Sequence, residues 1–186
     1  MAATLTKAML DDLHKGNAAI SLLPYTAGGV NLEALDFSDA DQVFTEQDTF
    51  TLSPSDPSTN AFKIDQNDET IDFDFEEGDW TINGNIPSFA TEVLDYFYNA
   101  GETITSVTGQ NGTKYAGKGY NGAKEVEVSV LVESKSEKTA IVLGHVKISV
   151  NPPAIDDHQK PGYVKFVGYV LANPKGSKFG VVKATA

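Results

Sequence analysis

From residue 43 onward apolar and polar positions alternate with a period of two, the spacing of strands buried on one face. The clearest stretch is Thr70–Glu76, where Ile71, Phe73 and Phe75 interleave with Asp72, Asp74 and Glu76. Trp80, Ile82 and Ile86 continue the pattern beyond Glu77-Gly78-Asp79, which predicts a hairpin of these two runs with one buried and one anionic face. Val43–Phe50 reads as a mixed strand stopped by Ser53-Pro54-Ser55-Asp56-Pro57, and Ala61–Asp65 as a short one. In the second half, Thr103–Thr108 leads into Gly109-Gln110-Asn111-Gly112, a hairpin turn, from which Thr113–Ala116 returns. Glu125–Glu133 sets Val126, Val128, Val130 and Val132 against Glu125 and Glu127. Thr139–Val150, Tyr163–Ala172 and Ser177–Lys183 complete the strand series.

Three stretches depart from this period. Phe89, Val93, Leu94 and Phe97 are spaced by three or four, predicting a helix over residues 88–99 capped by Ser88 and closed by Gly101. Residues 18–41 hold scattered apolar positions broken by Pro24 and Gly28-Gly29, too irregular for one element but apolar enough to drape over the fold. Before them, Thr4 as cap, Leu5, then Met9 or Ala8, then Leu13 or Asp12 on successive turns and Gly16 as stop suggest a short helix over 4–14, unstable unless it docks. The expected class is mainly β: an antiparallel β-sandwich or barrel with one flanking α-helix and an extended N-terminal arm. The arm and irregular segment take residues 1–42 and a single β domain takes 43–186, with 18–60 as a candidate inter-subunit arm and loop.

At 186 residues and 40% hydrophobic, the chain is long enough for one core. It has no Cys, which removes disulfide scaffolds, thiolate zinc sites and cysteine nucleophiles. It also has no Arg and a net charge of −12, so it lacks the guanidinium fork that grips phosphate and guanine and repels polyanions. The charge is divided: residues 1–102 hold 20 acids and 3 Lys, residues 103–186 hold 6 acids and 11 Lys. Net values of −17 and +5 suit either solvated faces of one fold or copies meeting acidic surface to basic surface. No run of about 18 apolar residues predicts a membrane span, and Asp11 and Asp12 interrupt any signal-peptide core, so use without secretion is expected.

The candidate chemistry is thin. Gly117-Lys118-Gly119-Tyr120-Asn121-Gly122 matches a dinucleotide fingerprint by letter, but a strand follows where a helix must, so a flexible loop is expected. Asp65, Asn67, Glu69 and Glu76 have EF-hand spacing, yet Thr70 stands at the obligatory glycine and the segment alternates as a strand. His14, His145 and His158 have no metal-ligand partners at i+2 or i+4, no Ser sits in a nucleophile elbow, and Asn111-Gly112-Thr113 reads as a turn. No catalytic residue, metal or cofactor is assigned, and an enzyme is not expected.

The order of features resembles a major tail tube protein of a long-tailed bacteriophage over residues 43–183. The phrases that carry the likeness are Asp79-Trp80-Thr81-Ile82-Asn83-Gly84-Asn85-Ile86-Pro87, the helix after it, Lys138-Thr139-Ala140-Ile141-Val142-Leu143, and Lys160-Pro161-Gly162-Tyr163-Val164-Lys165-Phe166-Val167-Gly168. The resemblance implies a structural virion protein, assembled in the bacterial host cytoplasm, that forms rings, commonly hexameric. The rings stack into a hollow tube and contact other tail proteins, with DNA only as transported cargo. A wall of carboxylates would repel the sliding duplex. The candidate lumen-facing acids are Asp72, Asp74, Glu76, Glu125 and Glu127.

Other readings compete: a different virion β-sandwich, such as a head decoration or tail completion protein; a carbohydrate-binding or adhesive sandwich using Tyr115, Tyr120, Tyr163 and Tyr169; and a small carboxylate hydrolase, whose paired acids only the fold can place.

Overall fold

The computed structural model describes residues 17–46, 48–56, 58–63, 70–76, 78–135, 138–156 and 161–185. The expected helix over 4–14, His14, His158 and the Asp65, Asn67 and Glu69 positions lie outside them. The class is mainly β, in antiparallel sheets with one α-helix.

In chain order the elements are β1 (Asn17–Pro24), β2 (Asp41–Val43), β3 (Thr51–Pro54), β4 (Ser58–Lys63), β5 (Thr70–Glu76), β6 (Trp80–Ile86) and α1 (Thr91–Phe97). They continue as β7 (Tyr98–Thr108), β8 (Lys114–Ala123), β9 (Val126–Ser134), β10 (Thr139–Val150), β11 (Val164–Val170) and β12 (Phe179–Lys183). The main sheet runs β2-β1-β9-β10-β11-β6-β3, with β12 also on β10. Two further sheets contain only β4 with β5 and β7 with β8.

The main sheet is rolled. Seven strands laid flat would separate β2 from β3 by about 29 Å at ~4.8 Å per strand. Yet only residues 44–50 join them, and that link turns at Asp48 (φ 62°) and is tied to β6, where Glu46 N donates to Asn85 O at 2.8 Å. The roll encloses Ile20 and Leu22 of β1, Val128, Val130 and Val132 of β9, Ile82 and Ile86 of β6, and Val164 and Phe166 of β11. Phe97 and Tyr98 join the same cluster from the end of α1. Each such side chain contributes about 1.5–3 kcal/mol by leaving water.

β10 needs a device to serve this core along its 12 residues. Leu143 pairs with Val130 but Val146 pairs with Val128, so β10 has one extra residue between them. This β-bulge shifts the inward phase from Ile141 and Leu143 to Val146, Ile148 and Val150, and every one reaches the core cluster. Gly144 sits in the bulge because a Cβ there would lie 2.7 Å from Asn173 Nδ2.

The outer face of the same sheet is covered by the chain itself. Residues 18–41, expected to be irregular throughout, begin as β1, seven residues of which register with β9. The remainder drapes, pinned by Asn173: Val30 N donates to its Oδ1 at 3.0 Å, and its Nδ2 donates to Val30 O at 2.8 Å. A 3-10 turn, Leu32–Ala34, starts at Asn31, whose side chain accepts from Glu33 N.

Three expectations are corrected. Val43–Phe50 is not one strand, because the chain turns between β2 and β3 to cross from one sheet edge to the other. The runs 70–76 and 80–86 are both strands, but they do not pair: β5 pairs with β4, and β6 with β11 and β3. Instead of closing a tight hairpin, the link binds Ser55, with Ser55 N donating to Asp79 O and Asp79 N to Ser55 Oγ. The helix spans Thr91–Phe97 rather than 88–99. Ser88 Oγ accepts from Ala90 N one turn early, and Tyr98 turns extended (φ −125°, ψ 153°) so that its ring is buried.

Candidate functional site

Two ribbons stand outside the rolled sheet, and the carboxylates and lysines on them are the candidate functional groups. The β7–β8 ribbon starts where α1 ends. Tyr98 is its root: the ring is buried, the hydroxyl donates to Asn151 O, and Tyr120 of β8 lies 5.9 Å away, ring to ring. Burial pushes the Tyr98 phenol above its ordinary pKa.

Asp95 of α1 gathers the other strand. Its carboxylate accepts Lys118 Nζ at 2.7 and 2.9 Å and the Tyr120 hydroxyl at 3.1 Å, and its carbonyl accepts Lys124 Nζ at 2.9 Å. The Lys118 hydrogen bond holds Asp95 below the usual carboxylate value, and the same bond raises Lys118. Burial and Asp95 together raise Tyr120. Beyond this anchor the ribbon is solvated: residues 105–108 and 110–118 are exposed, Val107 and Tyr115 among them.

The turn at its tip is the one the sequence predicts. Gly109 N donates to Thr113 O, and Gly112 adopts φ 75°, a conformation that favours glycine. Asn111-Gly112-Thr113 falls in this turn. The Gly117–Gly122 run, expected as a flexible loop, is β-strand within β8, with Gly117 paired to Ile104 across the ribbon, and β9 rather than a helix follows it.

The five candidate acids divide between two places. Asp72, Asp74 and Glu76 occupy alternate positions of β5, opposite Phe62, Asn60 and Ser58 of β4. Glu125 and Glu127 lie at the start of β9 and face two side chains of β10: Lys147 Nζ is 2.7 Å from Glu125, and His145 Nε2 is 3.4 Å from Glu127. The Glu125 hydrogen bond raises Lys147 above the ordinary ammonium value. His145 is in the β10 bulge and stacks on Tyr25 with ring centroids 3.7 Å apart and planes 3° apart. Among the described residues no three His, Asp or Glu side chains converge as a metal site.

The four tyrosines of the carbohydrate reading are scattered. Tyr115 is on the ribbon tip and Tyr169 on β11, both exposed, while Tyr120 packs on Tyr98 and Tyr163 bonds Asp156 through its hydroxyl. That bond raises the Tyr163 phenol. The Asp95 anchor was missed in the sequence because its partners lie 23 to 29 residues away. The signal that could have found it is Lys118 and Tyr120, alternate positions sharing one face of a strand, in an acid-free stretch, 103–124, that ends at Lys124.

Among the described residues no helix is long and apolar enough to cross a membrane. Comparison with protein-family models gives no match, and neither does comparison with curated proteins.

Proposed function

We propose that this chain is a structural subunit of a bacteriophage tail tube, assembling as rings that stack into a conduit for DNA. The observation that carries the reading is the pair of free two-stranded ribbons of opposite charge. β5 brings Asp72, Asp74 and Glu76, while β7–β8 has Lys114 and Lys118 against one acid, Glu102. A two-stranded ribbon is marginally stable by itself, and both of its edges carry unpaired N–H and C=O groups. Copies of the chain supply what is missing, since one ribbon's open edge is the other's complement in hydrogen bonding and in charge. β2 and β3, the two ends of the main sheet, offer further edges for a neighbour in a ring.

In such a ring the excess of carboxylates over cations, −12 for each copy, would keep the passing duplex from adhering. The mechanism is passive: no bond is made or broken, and the protein supplies geometry and a repulsive wall. Negative-stain microscopy of the purified, concentrated protein tests it. Rings or tubes of uniform diameter are expected; monodisperse monomers at every salt concentration and protein concentration would overturn the reading.

A further inference from the structure

An apolar groove lies beside α1. It has a volume of about 380 Å³ and is lined by Leu22, Val43, Phe44, Ile86, Val93 and Tyr96. Phe44 leaves 68% of its surface to solvent. The charged side chains of the lining are two carboxylates, Asp41 and Glu92, with no lysine among them. An open apolar trough with an anionic border suits an apolar projection that arrives with positive charge.

The β7–β8 ribbon carries such a projection. Val107 pairs with Tyr115, so the two side chains share one face, and they are 54% and 59% exposed. Gly109 leaves room for the tyrosine ring beside the turn, since a Cβ there would lie 2.9 Å from Tyr115 Cε2. From 103 to 124 the chain has no acid, and Lys114 adjoins Tyr115.

Resting on the reading that copies of the chain assemble, we propose that the Val107–Tyr115 knob of one copy seats in the α1 groove of the next. The charges match, two carboxylates on the groove against the acid-free tip with Lys114. The ribbon is directed away from its own groove. Lys118 is held by Asp95 of the chain's own helix, and Tyr115 lies three positions farther along β8, about 10 Å, with its side chain on the opposite face. A knob and a socket at different places on one surface make a heterologous contact: every copy uses both, and the contact repeats until rotation closes it as a ring. Because the knob uses a face of the ribbon, both ribbon edges stay open for strand pairing.

The absence of native Cys makes the test direct. Phe44 and Tyr115 are both exposed, so replacing them leaves the core intact. A chain with Phe44→Cys is mixed with a tagged chain with Tyr115→Cys and oxidised mildly. Mixed dimers several-fold above the proportion set by random collision are expected; mixed and like dimers in that random proportion would overturn the proposal. The chain with both substitutions should give a ladder of linked multimers on a non-reducing gel. An intrachain disulfide, which migrates faster, or linkage that stops at dimers would overturn it. With native thiol-free chains, Tyr115→Ser should raise the protein concentration needed for assembly about tenfold, as for an aromatic anchor lost from an interface. Rings or tubes that form equally well with Tyr115→Ser would overturn this contact and leave the tube reading standing. Linked multimers without rings or tubes would support the contact and overturn the tube.

Discussion

Lys118 donates two hydrogen bonds to Asp95, at 2.7 and 2.9 Å, and so fastens the middle of β8 to the helix that precedes β7. This contact, with Tyr120 and Lys124 on the same residue, decides the direction in which the exposed ribbon leaves the fold. Asp95→Asn keeps the shape but weakens the lysine and phenol contacts. The expected outcome is a small loss of thermal stability, as for other solvated ion pairs, with amide hydrogen exchange several-fold faster across 98–123 and unchanged in β9 and β10. The pH dependence follows the same contact. Asp95 has a lowered folded pKa, so its contribution is complete above the ordinary carboxylate value and is lost as pH falls through the lowered one. Protection of the ribbon amides, taken relative to their intrinsic exchange rate at each pH, should therefore fall in acid in the native protein and much less in Asp95→Asn.

Asn173 is a different kind of contact, because it is buried and satisfies both backbone groups of Val30. Asn173→Ala leaves an N–H and a C=O without partners beneath the draped segment. At about 1–3 kcal/mol for each of the two buried unsatisfied groups, the loss should be about 2–6 kcal/mol, or a Tm lower by about 4–24 °C. A thermal melt followed by circular dichroism measures it; a shift below about 1 °C would show that the segment is held by its apolar side chains alone.

Gly144→Ala tests the bulge from the other side. Its Cβ would stand 2.7 Å from Asn173 Nδ2 and 3.1 Å from a Leu32 methyl, so the clamp or the draped segment has to move. A destabilisation of about 1–3 kcal/mol is expected. Combined with Asn173→Ala, which removes the obstructing amide, the two losses should add to less than their sum in denaturant titrations.

The strands were legible because alternation is a local property: Thr70–Glu76, Trp80–Ile86 and Thr139–Val150 have the same bounds in the structure as in the sequence pattern. Partners were not legible. Nothing local in 70–86 reveals that Ser55, just past the end of β3, captures Asp79, or that β6 pairs with β11. Likewise Tyr98 has helical spacing from Leu94, but burial of its ring and its bond to Asn151 draw the backbone into a strand one turn early. The candidate acids were legible as a composition, whereas the pairing of Glu125 with Lys147 depended on the register of β9 against β10.

Tyr96 offers a spectroscopic handle on the groove. Burial, with Asp41 nearby, pushes its phenol up to about 12, against an ordinary value near 10. Because the folded value is the higher one, stability is unaffected below pH 10 and falls as pH rises from there toward 12. Of the seven tyrosines, Tyr96 should be among the last to ionise in an absorbance titration of phenolate. Tyr96→Phe should remove a step near pH 12; a titration curve unchanged by the substitution would show that the phenol is open to water.

Charge complementarity between ribbons gives assembly a salt dependence of defined sign. Lys114 is exposed on β8 near the ribbon tip and has opposite charge to Asp72, Asp74 and Glu76 of β5. Screening shortens from about 10 Å at 0.1 M salt to about 3 Å at 1 M, so contacts between solvated ribbons of neighbouring copies should weaken over that range. Sedimentation and microscopy are expected to show the assembled fraction falling as salt rises. Lys114→Glu should raise the protein concentration needed for assembly several-fold at low salt, and the difference from the native chain should shrink at high salt as both charges are screened. Assembly that ignores salt and tolerates Lys114→Glu would mean that edge hydrogen bonds and apolar contacts hold the copies together, and the charge division between the halves of the chain would then need another explanation.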